Sequence, residues 1–201
     1  MIHGKAMTPE LETARLILKP LQLADAEQVQ KLFSQWEVVR YLNAVVPWPY
    51  PADGALTYIR DNALPAIRRG ELWYWTIRLK SAPGQIIGAI TLSVKDQENR
   101  GFWLAPKWQR QGLMTEACNA ATDYWFEVLG RPVLRAPKAI ANEVSRRISV
   151  KQGMRIVSRE DKDYVCGRMP SETWEITLEE WRARNRTNLR PLRQQQNAQN
   201  S

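Results

Sequence analysis

The sequence predicts an α+β fold, a single domain on a central, mixed but mostly antiparallel β-sheet flanked by about four helices. Three observations carry this. Two runs of aromatic and β-branched residues, Leu72 to Leu79 and Gln85 to Val94, are joined by the turn-like Lys80-Ser81-Ala82-Pro83-Gly84, as in an antiparallel pair. Segments on either side place apolar residues at helical spacing. At 201 residues, 44 % hydrophobic and with nine Trp, the chain is long enough to bury one full core and too apolar to stay disordered.

Taken in order, Arg15 to Leu21 alternates well enough for a first strand, and Asp25 with Gln28 three positions on reads as a capping box that opens a helix. That helix puts Val29, Leu32, Phe33 and Trp36 on one face, as a core stripe. Pro47-Trp48-Pro49-Tyr50-Pro51 cannot be regular structure, because each proline lacks a donor and restricts the residue before it. A second helix is expected from Ala52 to Arg69, kinked at Pro65 and stopped at Gly70. After the strand pair comes a third strand, Arg100 to Ala105. A helix follows with Leu113, Ala117, Ala120, Ala121, Tyr124 and Val128 on its apolar face, ending at Gly130. Then Pro132 to Ala136 reads as strand, Asn142 to Gln152 as helix stopped by Gly153, and Met154 to Ser158 and Thr173 to Leu178 as strands.

The formal charge of +8 points to an anionic partner. Five arginines, Arg182, Arg184, Arg186, Arg190 and Arg193, fall in the last segment; without them 24 basic face 21 acidic side chains, or +3. Nucleic-acid binding by the folded part thereby loses most of its support. Residues 1–181 are expected to form the domain, and 182–201, basic and rich in Gln and Asn, a disordered tail. Cys118 and Cys166 are too few for a disulfide framework, and with His3 the only histidine a metal site is hard to assemble. The first residues lack an apolar leader core and the apolar run Ile86 to Leu92 is far short of the roughly 20 residues a membrane span needs, so a cytoplasmic, membrane-free protein is expected.

The chemistry is expected in GFWLAPKWQRQGLMTEA, residues 101 to 117, where a strand runs through a basic loop into a helix. Exposed N–H groups at a helix start, backed by the positive end of its dipole, attract phosphate oxygens. Gly112 permits close backbone approach and Thr115 adds a hydroxyl in the first turn.

Gln109-Arg110-Gln111-Gly112-Leu113-Met114 resembles the coenzyme A loop of the GNAT family of N-acetyltransferases, and Trp108 to Ala117 is similar to the version in its ribosomal-protein N-terminal acetyltransferase branch. Other landmarks agree in order: ETARLILKPL resembles the family's first strand and residues 46–59 its proline-aromatic loop. Ala141 to Ser145 with Lys151 to Met154 resembles its Asn-x-x-Ser helix and the turn after it, and TWEITLEEW its last strand. The resemblance covers residues 12 to 181. Met114 stands where Gly or Ala is usual and Met154 where Phe is usual. Trp174 stands where many relatives carry Tyr, so no phenol is offered there as an acid.

The resemblance implies acetyl-CoA as cosubstrate, no metal, a sheet splayed to hold it, and direct attack of an amine on the thioester in a ternary complex. By position, Gln109, Arg110, Gln111, Gly112, Leu113, Met114 and Thr115 would hold the pyrophosphate, and the backbone N–H of Leu104 or its neighbour would face the thioester carbonyl as oxyanion donor. Asn142 would contact the pantetheine arm and Ser145 the leaving thiolate. Trp48 and Tyr50, with Trp73 and Trp75, are candidates for the acceptor side. Cys118 reads as a small buried residue. No general base is visible: Asn99, Arg100 and Val157 occupy positions where relatives can carry a carboxylate, and Glu98 is one residue out of phase.

An α-amine, pKa about 7.7 to 8.0, is neutral in roughly a tenth of molecules near pH 7, while lysine at about 10.4 is neutral in well under a thousandth. A site with a weak base therefore suits an α-amine or an arylamine better than a lysine side chain, and the acceptor is expected to be a protein N-terminus or a small amine. The resemblance is compatible with a monomer or a homodimer. The competing readings are a catalytically weak CoA-binding or acidic-partner and nucleic-acid-binding module on the same fold, and a nucleotide-phosphate binder without acyl transfer.

Overall fold

In the computed structural model, which describes residues 8–184, the strands form two sheets. The first has the order β1 (Leu11–Glu12), β2 (Leu16–Pro20), β3 (Leu72–Leu79), β4 (Ala82–Ser93), β5 (Arg100–Leu104). The second comprises β6 (Val133–Ala139), β7 (Arg155–Tyr164) and β8 (Gly167–Thr177), with β8 in the middle. Every pairing is antiparallel. The α+β fold is the one expected, and the splay that the resemblance implies takes the form of two sheets that meet at β5 and β6. The Asn99 N–H donates to the Arg135 carbonyl (2.7 Å) and the Arg135 N–H to Asn99 Oδ1 (2.8 Å), after which the two strands part.

The helices are α1 (Ala26–Phe33), α2 (Trp36–Val39), α3 (Gly54–Tyr58), α4 (Leu64–Arg69), α5 (Leu113–Asp123) and α6 (Glu143–Lys151), and 178–184 is also helical. More helical segments are present than the four expected. The stretch 52–69 is α3 and α4 joined by a π turn, Ile59–Ala63, just before Pro65, whose missing N–H leaves a carbonyl without its helical donor. A second π turn, Tyr124–Val128, ends the helix that follows the loop.

Other expectations are corrected in detail. Asp25 does not pair with Gln28; its carboxylate accepts from the Gln22 N–H at 2.9 Å, while Gln28 reaches across to Gly84 O and Ile86 N. Trp36 starts α2 rather than extending the α1 stripe, and Val128 is exposed. The last two strands are much longer than expected and form one hairpin, β7 to β8, because the charged run Arg159 to Asp163 carries no apolar alternation to mark it as strand. Helix 178–184 runs past 181, with Arg182 paired to Glu127 at 2.7 Å; the rest of the expected tail, and His3, lie outside the described residues. No helix among the described residues is long and apolar enough to cross a membrane.

The larger sheet is covered on both faces. One face packs Leu16, Leu18, Trp75 and Ile77 against Ala117, Cys118 and Ala121 of α5; the other packs Tyr74, Ala89 and Trp103 against Val29, Val39 and Ile59. This two-sided burial explains why β3 reads as a nearly unbroken apolar run. It also moves Trp73 and Trp75 from the acceptor side into the core, where Trp75 meets the Tyr124 ring edge-on at 5.4 Å.

Candidate active site

The parting of β5 from β6 opens a cleft of about 750 Å³, within the range of small-molecule sites. One lip is Phe102 to Leu104 with 108–110 and 112–115, the other is 141–145 with Arg147, Ile148 and Lys151, and 37, 38 and 40–42 complete the lining.

Strand register fixes what β5 presents. Gly88 lies opposite Leu104, and the Ala105 N–H donates to Ile87 O at 2.9 Å, marking 105 and 87 as a hydrogen-bonded pair. Because such pairs alternate along an antiparallel ladder, the N–H and C=O of Leu104 point away from β4, into the gap. The carbonyl is satisfied by Gln109 Nε2 at 2.8 Å, which leaves the Leu104 N–H facing the cleft.

The loop that follows is built to expose donors. Arg110 (φ 62°) and Gly112 (φ 78°) both take left-handed backbone, and Gly112 is the N-cap of α5. The first helical bond runs from the Glu116 N–H to Gly112 O (3.1 Å) and no side chain caps the turn, so the N–H groups of Leu113, Met114 and Thr115 have no helical partner. They sit at the positive end of an eleven-residue helix. Met114, which stands where Gly or Ala is usual in the family, is 7 % exposed and packs into the core below the loop.

A clamp behind the loop holds it in this shape. Glu116 accepts from the Thr13 hydroxyl (2.5 Å), the Arg15 N–H (2.8 Å) and Arg15 Nε (2.8 Å), and Arg15 Nη1 donates to Gln111 O at 3.1 Å. A peptide's C=O and the following N–H point in opposite directions, so drawing the Gln111 carbonyl back toward Arg15 turns the Gly112 amide the other way. Partial burial opposes charge on Glu116, but the Thr13 and Arg15 donors outweigh it and hold its carboxyl below the usual range.

On the opposite lip Asn142 caps α6, its Oδ1 accepting from the Ser145 N–H at 3.2 Å, and Ser145 is 6 % exposed. Of the carboxylates lining the cleft, Glu143 is paired with Arg147 at 3.1 Å, whereas Glu37 has no ion pair or hydrogen-bond partner for its carboxylate among the described residues.

The expected residues Leu104, Gln109, Arg110, Gly112, Leu113, Met114, Thr115, Asn142 and Ser145 thus come together around one cleft. Gln111 does not line it; its side chain donates to Lys107 O at 3.1 Å. Trp48 and Tyr50 do not line it either. The Trp48 ring lies 5.3 Å from Trp36, and Tyr50 packs edge-on to Phe33 at 5.0 Å, where burial, with Tyr58 nearby, pushes its phenol up to about 12. Sequence reasoning missed Glu37, which sits on a four-residue helix with no motif around it.

Comparison with known proteins agrees with this geometry. Residues 15–155 match the family model described as an acetyltransferase (GNAT) domain. The chain belongs to the GNAT family of acetyltransferases. It is 31 % identical over 152 residues to the uncharacterized N-acetyltransferase YoaA of Bacillus subtilis, covering 73 % of this chain and 83 % of that protein. Its fold resembles the ribosomal-protein-S5-alanine acetyltransferase of Vibrio fischeri (TM-score 0.73, 14 % identity, 86 % and 98 % of the two chains). It also resembles RimL, a ribosomal L7/L12 α-N-protein acetyltransferase, in complex with coenzyme A (TM-score 0.71, 13 % identity, 84 % and 98 %).

Proposed function

We propose that this chain transfers the acetyl group of acetyl-CoA to a primary α-amine, on a protein N-terminus or a small molecule, within a ternary complex. The observation that carries this reading is one continuous cleft with an uncapped helix N-terminus on one lip and the unpaired Leu104 N–H beside it. The free amides of Leu113, Met114 and Thr115, with Arg110 alongside, take the pyrophosphate. Asn142 lies along the pantetheine arm, and the Leu104 N–H receives the oxyanion as the amine nitrogen attacks the thioester carbon. Ser145, across the cleft, donates a hydrogen bond to the sulfur. Glu37, in the lining of the same cleft, takes the proton that the attacking amine sheds.

The α-amine preference follows from acid–base chemistry: one exposed carboxylate is too weak a base to strip protonated lysine, while an α-amine is already partly neutral at pH 7. Named ribosomal-protein acetyltransferases among the structural neighbours support a protein N-terminus as acceptor.

Calorimetry tests the cosubstrate. Acetyl-CoA and desulfo-CoA are expected to bind and ATP to bind far more weakly; equal binding of ATP would favour a general nucleotide-phosphate site. For Glu37, substitution to Gln is expected to leave acetyl-CoA affinity unchanged and lower kcat toward an α-amine peptide about 100-fold, the scale of a lost proton acceptor. An unchanged kcat from pH 6 to 9 would remove Glu37 from this role.

A further inference from the structure

A lysine lies buried where the two sheets part. From the Asn99–Arg135 tie, three residues on in each strand bring Phe102 and Lys138 face to face, with Lys138 Nζ 5.6 Å from the centre of the Phe102 ring. Phe102 lines the cleft, and two residues further along β5 lies Leu104 with its free N–H. Lys138 does not line the cleft itself but lies against the Phe102 ring that does, on the side where the two strands converge.

Lys138 is 4 % exposed, and a buried ammonium is ordinarily matched by a carboxylate. Among the described residues none pairs with it. Its register partner on β8, Glu172, is taken by Arg146 (2.9 Å) and Arg159 (3.3 Å). From β5 comes a second buried cation, Arg100, which donates to Thr122 Oγ1 at 2.8 Å and whose Nε has no partner. From α5 comes the buried thiol of Cys118, held in its neutral form because burial pushes its pKa up. Burial first, then Arg100, push the Lys138 ammonium down to about 7.

Two cations without an anion are relieved by negative charge arriving in the gap, and acetyl transfer creates one, the CoA thiolate. We propose that Lys138 is the proton donor to the departing CoA sulfur. As the C–S bond breaks, its electron pair stays on sulfur and takes a proton from Lys138 Nζ, giving free thiol and a neutral amine that regains its proton from solvent before the next turnover. A thiol, at about 8.5 for cysteine, holds a proton more tightly than this ammonium does, so the transfer runs in the favourable direction. Ser145 can orient the sulfur, but a hydroxyl that gave up its own proton would have to be reprotonated, whereas the ammonium carries one to spare. The assignment rests on acetyl-CoA occupying the cleft.

The test compares wild type, Lys138→Met and Lys138→Arg by calorimetry with CoA, kcat against pH from 6 to 9 with an α-amine peptide, and intact mass. Lys138→Met removes an unpaired buried charge and is expected to melt no lower than wild type. It is expected to bind CoA within about twofold, to turn over about 100-fold more slowly, and to lose the fall in kcat above pH about 7 that the wild type shows as its ammonium deprotonates. Lys138→Arg is expected not to restore turnover, since a guanidinium keeps its proton. An unchanged kcat and pH profile in Lys138→Met would overturn the assignment. So would acetylation of Lys138 itself in the wild type, which would make the amine a nucleophile. Failure of the wild type to bind CoA would instead overturn the functional reading beneath it, before any variant is compared.

Discussion

Gly88→Ala is expected to lower kcat by at least about tenfold and stability by about 1–3 kcal/mol, the scale of overpacking in a close-packed interior. Gly88 faces Leu104 across the β4–β5 ladder, and a Cβ there would overlap the Trp103 carbonyl oxygen and come 2.8 Å from Leu104 Cδ1. The obstructing atoms include backbone, so β5 must move. The Leu104 amide, the proposed oxyanion donor, moves with it. Because the proposed acetyl-CoA site is mainly the 109–115 loop, its KM is expected to change less than kcat. Thermal melting separates the two consequences, with roughly 2–4 °C lost per kcal/mol in a chain of this size. Wild-type kcat in Gly88→Ala would show that β5 gives way without disturbing the donor.

Gly112→Val is expected to raise the KM for acetyl-CoA about 10- to 100-fold while leaving the core intact. Gly112 holds φ at 78° as the cap of α5, a conformation that a β-branched residue adopts only under strain of order 1–3 kcal/mol. Its new side chain would also meet Arg15 Nη2, 3.5 Å from the Cβ position. The loop can shed that strain by turning the Gly112 peptide, which unaligns the amides proposed to take the pyrophosphate. At 1.4 kcal/mol per tenfold, the strain sets the size of the KM change. Near-normal KM with a lowered melting temperature would mean that the strain is absorbed elsewhere and that the loop's shape does not set affinity.

What the sequence made legible tracks how local the signal is. The core strands β3 to β5 and the loop with Gly112 were readable because period, turn residues and one permissive glycine sit within a few positions of each other. The hairpin β7–β8 was read short because β7 is an exposed edge strand with no apolar face to alternate. The splay of the sheet came only with the family resemblance, and the place where it opens was not readable, since it depends on Asn99 and Arg135 meeting across 36 positions. In the site, residues on the two cleft lips were found from the motif that contains them. Glu37 sits on a short helix with no motif around it, and the Arg15–Glu116 clamp and the Phe102–Lys138 apposition are contacts between distant segments that no spacing announces. Trp73 and Trp75 misled because alternate tryptophans look the same whether they face a cleft or a second core layer.

The central claim is that an α-amine, and not a lysine side chain, receives the acetyl group in this cleft. The most direct measurement follows thiol release from acetyl-CoA with two peptides of otherwise identical sequence, one with a free N-terminus and no lysine, the other with a blocked N-terminus and one lysine. The predicted result is one thiol released per acetyl group gained at the free N-terminus, with the lysine peptide left unmodified. Preferential acetylation of the lysine peptide, or tight acetyl-CoA binding with no thiol released to either, would contradict it.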